Sequence, residues 1–402
     1  MSATADAPRW RDTALLELVT IKSGQVDPRA SPYRDLPLIA PDHIATGTGR
    51  LVKKESASTQ GAISGKYFVR PGDVIYSKIR PYLQKAYRCD FEALCSADMY
   101  PLTPRGDVDS SFILHSLLGH DFTNFAVSVS ARSGIPKINR EELAEYRMRT
   151  PGGAEQRAIG KALDDADNLI AALERLIVKK QAIKQGMMQQ LLTGTTRLPG
   201  FTASWRQATI GDLASVSGGG TPSTRDSSLW GGGIPWFTPA EIPESGAGVV
   251  TTSDRTITKA GLQKSAAKML PEGTVLVTSR ASIGHCAIAG RPVATNQGFT
   301  SLVPSDRRST EFLYYWVQQH RSRFVSRAAG STFLEISGSK VATIEILAPA
   351  ADEQAAIGAV LSDADADLRG LQLRLTKARN VKQGMMQQLL TGRTRLPVEA
   401  AV

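Results

Sequence analysis

The sequence is short of cysteine and of long apolar runs, and each shortage excludes a class of protein. Only three cysteines occur among 402 residues, which excludes a disulfide framework and favours a reducing, cytoplasmic location. Cys89 and Cys95 have no Cys or His neighbours at zinc-ligand spacing, so we expect ordinary buried thiols. No run of about eighteen apolar residues exists, and the first residues lack an apolar signal segment. We therefore expect a protein without a membrane partner.

Motifs for catalysis are also missing. The chain has neither a glycine-rich phosphate loop ending in Gly-Lys-Ser/Thr nor the Asn/Asp-Pro-Pro-aromatic string that an amino-methyltransferase needs. The five histidines are scattered and do not pair at metal-ligand spacing. Asp73, after Pro71 and Gly72, could begin a nuclease-like carboxylate set, but no Glu-x-Lys follows it. These absences predict a chain that is not an enzyme and holds neither a metal nor a cofactor of its own.

Charge and composition indicate a folded protein with an anionic partner. Lysine and arginine outnumber aspartate and glutamate by 48 to 38, which gives a net charge of +10. Such a balance favours nucleic acid as the first candidate partner. A hydrophobic fraction of 42% argues against disorder, and the length suits two domains.

One stretch of the sequence occurs twice. Residues Lys184 to Gly194 return letter for letter as Lys382 to Gly392, and Glu155-Gln156 matches Glu353-Gln354 at the same offset. Apolar residues upstream alternate in steps of four and three, which is typical of the seam of a coiled coil. The seam positions, with one methionine beyond each, are Ile159, Leu163, Ile170, Leu173, Ile177 and Met187, then Ile357, Leu361, Leu368, Leu371, Leu375 and Met385.

The repeat divides the chain into two halves of one duplicated plan. We expect α/β (α+β) domains, each followed by a long helix, with the two helices antiparallel, a domain at each end and a pseudo-two-fold axis between. In this arrangement the stripe from Ile159 to Ile177 would face the stripe from Ile357 to Leu375. The predicted boundaries are 1–152 for domain 1, 153–194 for the first helix, 195–204 for a linker, 205–350 for domain 2, 351–392 for the second helix and 393–402 for a tail.

Basic, amide and hydroxyl residues in loops are the candidates for DNA contact. Arginine and lysine can bond guanine, and asparagine and glutamine suit adenine. The candidates are Lys78, Arg80, Tyr82, Lys85, Arg132, Ser133, Lys137, Thr221, Ser223, Arg225, Ser279, Arg280, Ser282, Asn296, Gln297 and Ser331. Arg80 and Arg280 lie 200 positions apart, each after a predicted strand, which suggests equivalent positions. For each residue a solvated surface charge or a phosphate contact stays open as the alternative.

Three features near these residues have alternative interpretations. Asn296-Gln297 could form a structural turn whose amides bond the backbone. Trp230 and Trp236 are predicted to be core residues. The segments Ser217–Ser223 and Trp230–Trp236 are so rich in glycine and proline that we expect loops.

The chain resembles the specificity subunit of a type I restriction-modification system. The matching motifs are Ser217-Gly-Gly-Gly-Thr-Pro-Ser with Trp230–Trp236, Ser279–Gly284, Thr295–Phe299, Gly330–Ser337, and the helix entries Pro151…Glu155-Gln156 and Pro349…Glu353-Gln354. The family's second proline at those entries is here Gly152 and Ala350.

The resemblance implies two target-recognition domains, each reading one half of a split, asymmetric site in double-stranded DNA. The helices would set the spacing between the domains and dock two methyltransferase subunits. S-adenosylmethionine, ATP and magnesium would belong to those subunits and to the restriction/translocase subunits that cleave DNA. Two other hypotheses remain at this stage: a self-sufficient nuclease or methyltransferase fused to recognition domains, and a coiled-coil adaptor that binds no DNA.

Overall fold

The computed structural model describes residues 10–130, 135–330 and 334–397. The chain forms two compact units. Unit 1 contains the described residues up to Arg175 together with those from Leu373 onward. Unit 2 spans Leu176–Gln372. Each unit consists of one α/β domain and a segment of each of two long helices.

Domain 1 is built from short strands and helices around a buried core. Its sheets have the strand orders β2-β8-β5-β6, β3-β7-β4 and β1-β9. The elements are β1 (Arg11–Ala14), α1 (Leu15–Leu18), β2 (Val19–Ile21), β3 (Leu38–Ile39), β4 (Tyr67–Val69), β5 (Val74–Ser77), β6 (Ala86–Arg88), β7 (Ala93–Cys95), β8 (Met99–Pro104), α2 (Ser110–Leu118), α3 (His120–Val129), α4 (Arg140–Glu145), β9 (Arg147–Thr150) and the long helix α5 (Gly153–Leu191).

Domain 2 repeats this plan. Its sheets have the orders β11-β18-β15-β16-β13, β14-β12-β17 and β10-β19. The elements are β10 (Arg206–Thr209), α6 (Ile210–Leu213), β11 (Ala214–Gly218), β12 (Trp230–Phe237), β13 (Val249–Val250), β14 (Arg255–Ile257), α7 (Lys259–Gln263), β15 (Val275–Val277), β16 (Cys286–Ala289), β17 (Ala294–Thr295), β18 (Thr300–Pro304), α8 (Thr310–Gln319), α9 (Arg321–Val325), α10 (Gly338–Ala342), β19 (Glu345–Ala348) and the long helix α11 (Ala351–Leu389).

The two domains share their central strand pairing. In domain 1, Val74 of β5 lies opposite Arg88 and Leu102 on its two neighbours. In domain 2, Val275 of β15 lies opposite Ile288 and Leu302. Both strands consist of fully buried residues, as expected for a strand in the middle of a covered sheet. The predicted pair of related α/β domains is confirmed.

Each long helix ends at a glycine-containing turn. Gly194 and Gly392 follow the ends of α5 and α11 with φ angles of 72° and 71°, a conformation that residues with a Cβ avoid. Each helix has 39 residues, which corresponds to a length of about 58 Å.

The long helices run antiparallel inside each unit. In unit 1, Lys382 of α11 pairs with Asp167 of α5 at 2.6 Å. In unit 2, Lys184 of α5 pairs with Asp365 of α11 at 2.5 Å. The duplicated sequence therefore makes the same lysine–aspartate pair once in each unit. Outside these pairs, Glu174 of unit 1 accepts hydrogen bonds from Arg50 and Arg379.

This pairing corrects the predicted contacts of the apolar stripe. Ile159 and Leu163 do not face Ile357 and Leu361. They are buried with Phe112 of domain 1 and with Leu389, near the end of α11. Ile357 and Leu361 are likewise buried with Leu191 of α5 in the core of unit 2. The reason is directional, because the first turns of one antiparallel helix lie beside the last turns of the other.

The segment Trp230–Trp236 is a second correction, since it lies within strand β12 and is not a loop. Trp230 and Ile234 both lie opposite Ile257 of β14, so the intervening glycines form a bulge. Gly232 packs against β14, where an added Cβ would lie 2.5 Å from the Ile257 carbonyl oxygen. The glycine-rich composition had predicted an irregular loop. In the structure the glycines instead allow two strands to approach each other closely.

Candidate nucleic-acid interface

Two tryptophans hold the loop that follows β11. Trp236 is buried, and its indole N–H donates to the Gly220 carbonyl at 2.9 Å. Trp230 is half-buried and donates to the Ser223 carbonyl at 3.0 Å. The two rings pack edge to face with centroids 5.0 Å apart. The pair therefore fixes the loop on both sides of Thr221.

The glycines of this loop allow it to press against its neighbours. A Cβ on Gly219 would lie 2.3 Å from the carbonyl oxygens of Thr295 and Asn296. A Cβ on Gly220 would lie 2.4 Å from the carbonyl carbon of Ala266. Both distances are far inside van der Waals contact, so only glycine fits at these two positions.

The loop meets the turn after β17 and brings three polar side chains together. The Thr221 hydroxyl donates to Oε1 of Gln297 at 2.6 Å. Within the turn, Oδ1 of Asn296 accepts from the Gly298 N–H at 2.8 Å. Arg280 lies against the same turn, since its Nε is 3.2 Å from where a Cβ on Gly298 would be. Thr221 and Gln297 are exposed and Arg280 is half-buried, so a hydroxyl, an amide and a guanidinium are presented at one place.

The remaining candidates of domain 2 surround this cluster less directly. Ser279 is buried, and its N–H donates to the Gly298 carbonyl at 2.8 Å. Ser282 is half-buried, whereas Ser223 and Arg225 are exposed in the loop between β11 and β12. Asn296 uses its side chain within the turn, as the structural interpretation requires, while Gln297 stays accessible.

In domain 1 the loop that corresponds to the β15–β16 loop of Arg280 connects β5 to β6. It is closed by the Ser77 N–H, which donates to the Lys85 carbonyl at 2.8 Å. The ammonium groups of Lys78 and Lys85 donate to the carbonyls of Ala97 and Ile44. Both lysines are therefore partly engaged inside the domain.

A second segment of domain 1 joins this loop. The Arg80 N–H donates to the Pro136 carbonyl at 2.8 Å, and Ile79 bridges to Lys137. The side chains of Arg80, Tyr82 and Lys137 are exposed. The structure thus places Arg80 beside the segment that contains Lys137, and Tyr82 follows Arg80 two residues later in the same loop. Arg132, Ser133 and Ser331, the other predicted residues of this kind, lie outside the described residues.

Arg80 and Arg280 are not structural equivalents, which corrects the sequence-based alignment. Ile79 bridges to Lys137 in domain 1, and Arg280 makes the corresponding bridge to Glu335 in domain 2. The next residues, Arg80 and Ala281, both have positive φ angles, 49° and 60°. The first loop is one residue longer than the second, so counting 200 positions along the chain is wrong by one here.

The cation of domain 1 that lies against the same turn as Arg280 is Lys78, although the backbone position of Lys78 corresponds to Ser279. Lys78 bonds the carbonyl of Ala97 in the turn after β7, and Arg280 lies against Gly298 in the turn after β17. The two turns are equivalent, since the N–H groups of Lys78 and Ser279 donate to the carbonyls of Asp98 and Gly298. Each domain therefore places one cation against the same turn, but the chemistry of that cation differs.

Burial shifts the pKa of a lysine and of two cysteines in domain 1. Burial lowers the pKa of Lys66, which the charge of Asp98 opposes. Burial raises the pKa of Cys89 to about 12 and raises that of Cys95 further. All three cysteines are free and buried, as predicted for Cys89 and Cys95. Within the described ranges no group of three or more His, Cys, Asp or Glu side chains could hold a metal ion, and no helix there is long and apolar enough to cross a membrane.

Sequence reasoning missed a duplicated clamp that closes each unit. In unit 2 the buried Glu353 accepts two hydrogen bonds from Arg197, at 2.5 and 2.7 Å, and one from the Trp205 indole at 3.2 Å. In unit 1 the buried Glu155 accepts two from Arg395, both at 2.7 Å, and one from Trp10 at 3.3 Å. The signal was present, because each residue type recurs in both halves, but the sequence did not say which residues would meet.

A groove of about 930 Å³ lies elsewhere in unit 1, between domain 1 and the helices. Its lining includes Arg149, Gln387 and Arg393, together with the ion-paired Arg379 and Lys382.

Two α/β domains of one design, each presenting a polar loop cluster and each followed by a long helix, define a duplicated two-domain recognition scaffold. The chain belongs to the family of the type I restriction modification DNA specificity domain, which matches residues 9–185 and 203–375.

Among curated relatives, the chain is 39% identical over 160 residues to the specificity subunit of the type I restriction enzyme MjaIX of Methanocaldococcus jannaschii. It is 33% identical over 168 residues to that of the type I restriction enzyme EcoDI of Escherichia coli. These matches cover 39% and 42% of this chain and 37% of each relative, so only about a third of each relative's length is spanned.

Solved structures share the fold over nearly the whole chain. The S subunit of a type I restriction-modification system from M. genitalium aligns with a TM-score of 0.62 at 14% identity, covering 97% of this chain and 98% of that one. The HsdS subunit from Thermoanaerobacter tengcongensis aligns with a TM-score of 0.54 at 20% identity, covering 98% and 100%.

Proposed function

We propose that this chain is the DNA-specificity subunit of a type I restriction-modification complex. Each domain reads one half of a bipartite, asymmetric site in double-stranded DNA. The observation that carries the proposal is the recurrence of one loop-and-turn arrangement in both domains, with Lys78 in one and Arg280 in the other. The net charge of +10 and the named relatives support the same function.

In domain 2, Arg280, Gln297 and Thr221 carry groups that match base edges. A guanidinium can bond guanine bidentately and a glutamine amide can bond adenine, each pair discriminating by about 1–3 kcal/mol. In domain 1, the exposed candidates for DNA contact are Arg80, Tyr82 and Lys137. The exposed side chains of Ser223 and Arg225 contact phosphates and so position the duplex.

The long helices set the spacing of the two half-sites and dock two methyltransferase subunits. Their sequences are nearly identical over the last turns, whereas the loops of the domains differ. S-adenosylmethionine, ATP and magnesium then belong to the methyltransferase and restriction/translocase subunits, and this chain itself performs no catalysis. The chain acts in the cytoplasm, where those subunits and the DNA are also found.

Exchange of residues 205–350 for the same region of a family member tests the proposal. The hybrid is expressed with the partner methyltransferase, and methylome sequencing identifies its methylated motif. We expect one half-site to change and the other to persist. The proposal would be contradicted if the unaltered complex methylated no defined motif. A change in both half-sites of a folded hybrid would contradict independent reading by the two domains.

The non-catalytic assignment has a separate test. The purified chain is incubated alone with labelled S-adenosylmethionine and duplex DNA, and then again with the methyltransferase added. We expect transfer of the label only in the second reaction. Turnover by the chain alone that survives repeated purification would favour the self-sufficient methyltransferase.

A further inference from the structure

Arg255, the first residue of β14, stacks on an aromatic platform. Its guanidinium carbon lies 3.6 Å from the ring centroid of Trp230 and 5.6 Å from that of Trp236. The residue is exposed. Among the described residues no carboxylate pairs with it, whereas Arg307 and Arg321 of the same domain pair with Glu272 and Glu244. Stacking fixes the plane of the guanidinium and leaves its N–H edge available for an anion.

The platform is continuous with the candidate reading loop. Trp230 carries Arg255 on its ring and bonds the Ser223 carbonyl through its N–H. The strand order β14-β12-β17 places Arg255 on an edge strand, two strands from the turn that contains Gln297. Two strand spacings amount to about 10 Å, and the major groove of DNA is about 12 Å wide. If the turn that contains Gln297 reads base edges in the major groove, Arg255 lies far enough from that turn to reach the phosphate backbone at the edge of the groove.

The backbone beside Trp230 is open to a close neighbour. A Cβ added to Gly231 or Gly233 would meet no atom within 4 Å, unlike one added to Gly232. Glycine in a strand often marks a place where another backbone approaches closely. A bare stretch of main chain next to an unpaired guanidinium suits a sugar-phosphate chain.

The fold does not require an arginine at this position. Pro235 lies opposite Thr256 in domain 2, and Pro37 lies opposite Ser56 in domain 1. This register makes Glu55 the counterpart of Arg255. Glu55 pairs with Lys53 at 2.9 Å, so the same fold is compatible with the opposite charge there.

We propose that Arg255, held on Trp230, contacts a DNA phosphate beside the half-site read by domain 2. The inference rests on the proposed function and adds to it a contact that positions the duplex without reading sequence. Domain 1 lacks this contact, because Glu55 would repel a phosphate.

The test compares Arg255→Gln, Arg255→Lys and the control Arg307→Gln in the complex with the methyltransferase. Arg307 is also exposed, but it is ion-paired with Glu272. Glu272 precedes β15 and Arg280 follows it, so the control residue lies at the other end of that strand from Arg280. The probe is a duplex carrying the motif that the unaltered complex methylates, and its binding is measured over a range of salt concentrations. We expect Arg255→Gln to reduce the slope of log affinity against log salt by about 0.9. Arg255→Lys keeps that slope, and the methylated motif stays the same in every variant.

Each other outcome has a defined meaning. A slope for Arg255→Gln equal to those of the unaltered protein and of Arg307→Gln would overturn the inference while leaving the proposed function intact. A relaxed motif at one half-site would overturn the phosphate assignment and make Arg255 a base reader. Absence of sequence-specific binding by the unaltered complex would overturn the proposed function and the inference together.

Discussion

Replacing the three consecutive glycines 218–220 one at a time by alanine tests what positions the loop after β11, which we propose takes part in reading DNA. At Gly218 the nearest atom to an added Cβ is the Phe299 carbonyl oxygen, 3.9 Å away, so alanine fits. At Gly219 and Gly220 the nearest atoms lie at 2.3 and 2.4 Å and belong to the main chain. Main-chain atoms cannot rotate aside as a side chain can. The same substitution therefore has two very different expected results within one tripeptide.

The expected change in the free energy of unfolding is the cost of steric overlap less the gain from a less flexible unfolded chain. Overpacking in a filled site costs about 1–3 kcal/mol, and alanine in place of glycine returns about 0.4–1 kcal/mol by restricting the unfolded chain. For a unit of this size about 1 kcal/mol shifts Tm by about 2–4 °C. We expect Gly218→Ala to leave Tm unchanged or slightly raised, and Gly219→Ala and Gly220→Ala to lower the unfolding temperature of unit 2 by several degrees.

The DNA assay detects the other way in which the strain can be relieved. If the loop moves outward, stability is retained, but Thr221 leaves Gln297 and the reading cluster is lost. Affinity for the methylated motif should then fall for Gly219→Ala and Gly220→Ala and persist for Gly218→Ala. The reasoning is refuted if all three variants match the unaltered protein in both Tm and affinity.

Three further predictions concern Arg280 as the proposed base-reading cation, the two glutamate–arginine clamps, and stability in acid. Arg280→Ala should relax one position of the domain 2 half-site in the methylome and cost about 1–3 kcal/mol of binding; an unchanged motif and affinity would remove Arg280 from the interface. Glu353→Gln and Glu155→Gln should each lower the Tm of their own unit, because each weakens two arginine hydrogen bonds to a buried carboxylate; unaltered melting curves would contradict this. Burial would raise the pKa of Glu174, but two arginines hold it below its usual value of 4.5, so its contribution is present above that pH and lost as the pH falls through the lower folded pKa. Glu174→Gln should therefore lower Tm near pH 7 and converge with the unaltered protein in acid; a Tm difference that does not shrink as the pH is lowered from 7 into the acid range would contradict the assignment.

The long helices could be predicted from sequence because their periodicity extends over many turns. The strand at Val74 was also predictable, since a turn at Pro71-Gly72 precedes a short β-branched and aromatic run. In contrast, the strand that contains Gly231–Gly233 has no side-chain pattern to detect. Its regularity comes from pairing with β14, which lies some twenty residues away in sequence. Such pairing depends on tertiary contacts that local composition does not encode.

The site was predictable by residue type but not by register. A one-residue difference in loop length turned the apparent pair Arg80 and Arg280 into non-equivalent positions, because each step along an extended chain reverses the direction of the side chain. The clamps were hidden for another reason. Glu155 and Arg395 are 240 positions apart, and the repeat alone did not tell whether each glutamate meets the arginine of its own half or that of the other.

The contrast between clamps and loops bears on what the two halves do. The clamps and the lysine–aspartate pairs of the helices use the same residue types in both units. The polar positions of the domains do not. Glu55 is matched by Arg255, and the cation against the shared turn is Lys78 in domain 1 but Arg280, one position further along, in domain 2. A lysine presents a single ammonium as a point charge, whereas an arginine presents a planar fork that suits bidentate bonding. On the proposed function, the two domains present different donors, so we expect the two half-sites to differ in sequence and the whole site to be asymmetric.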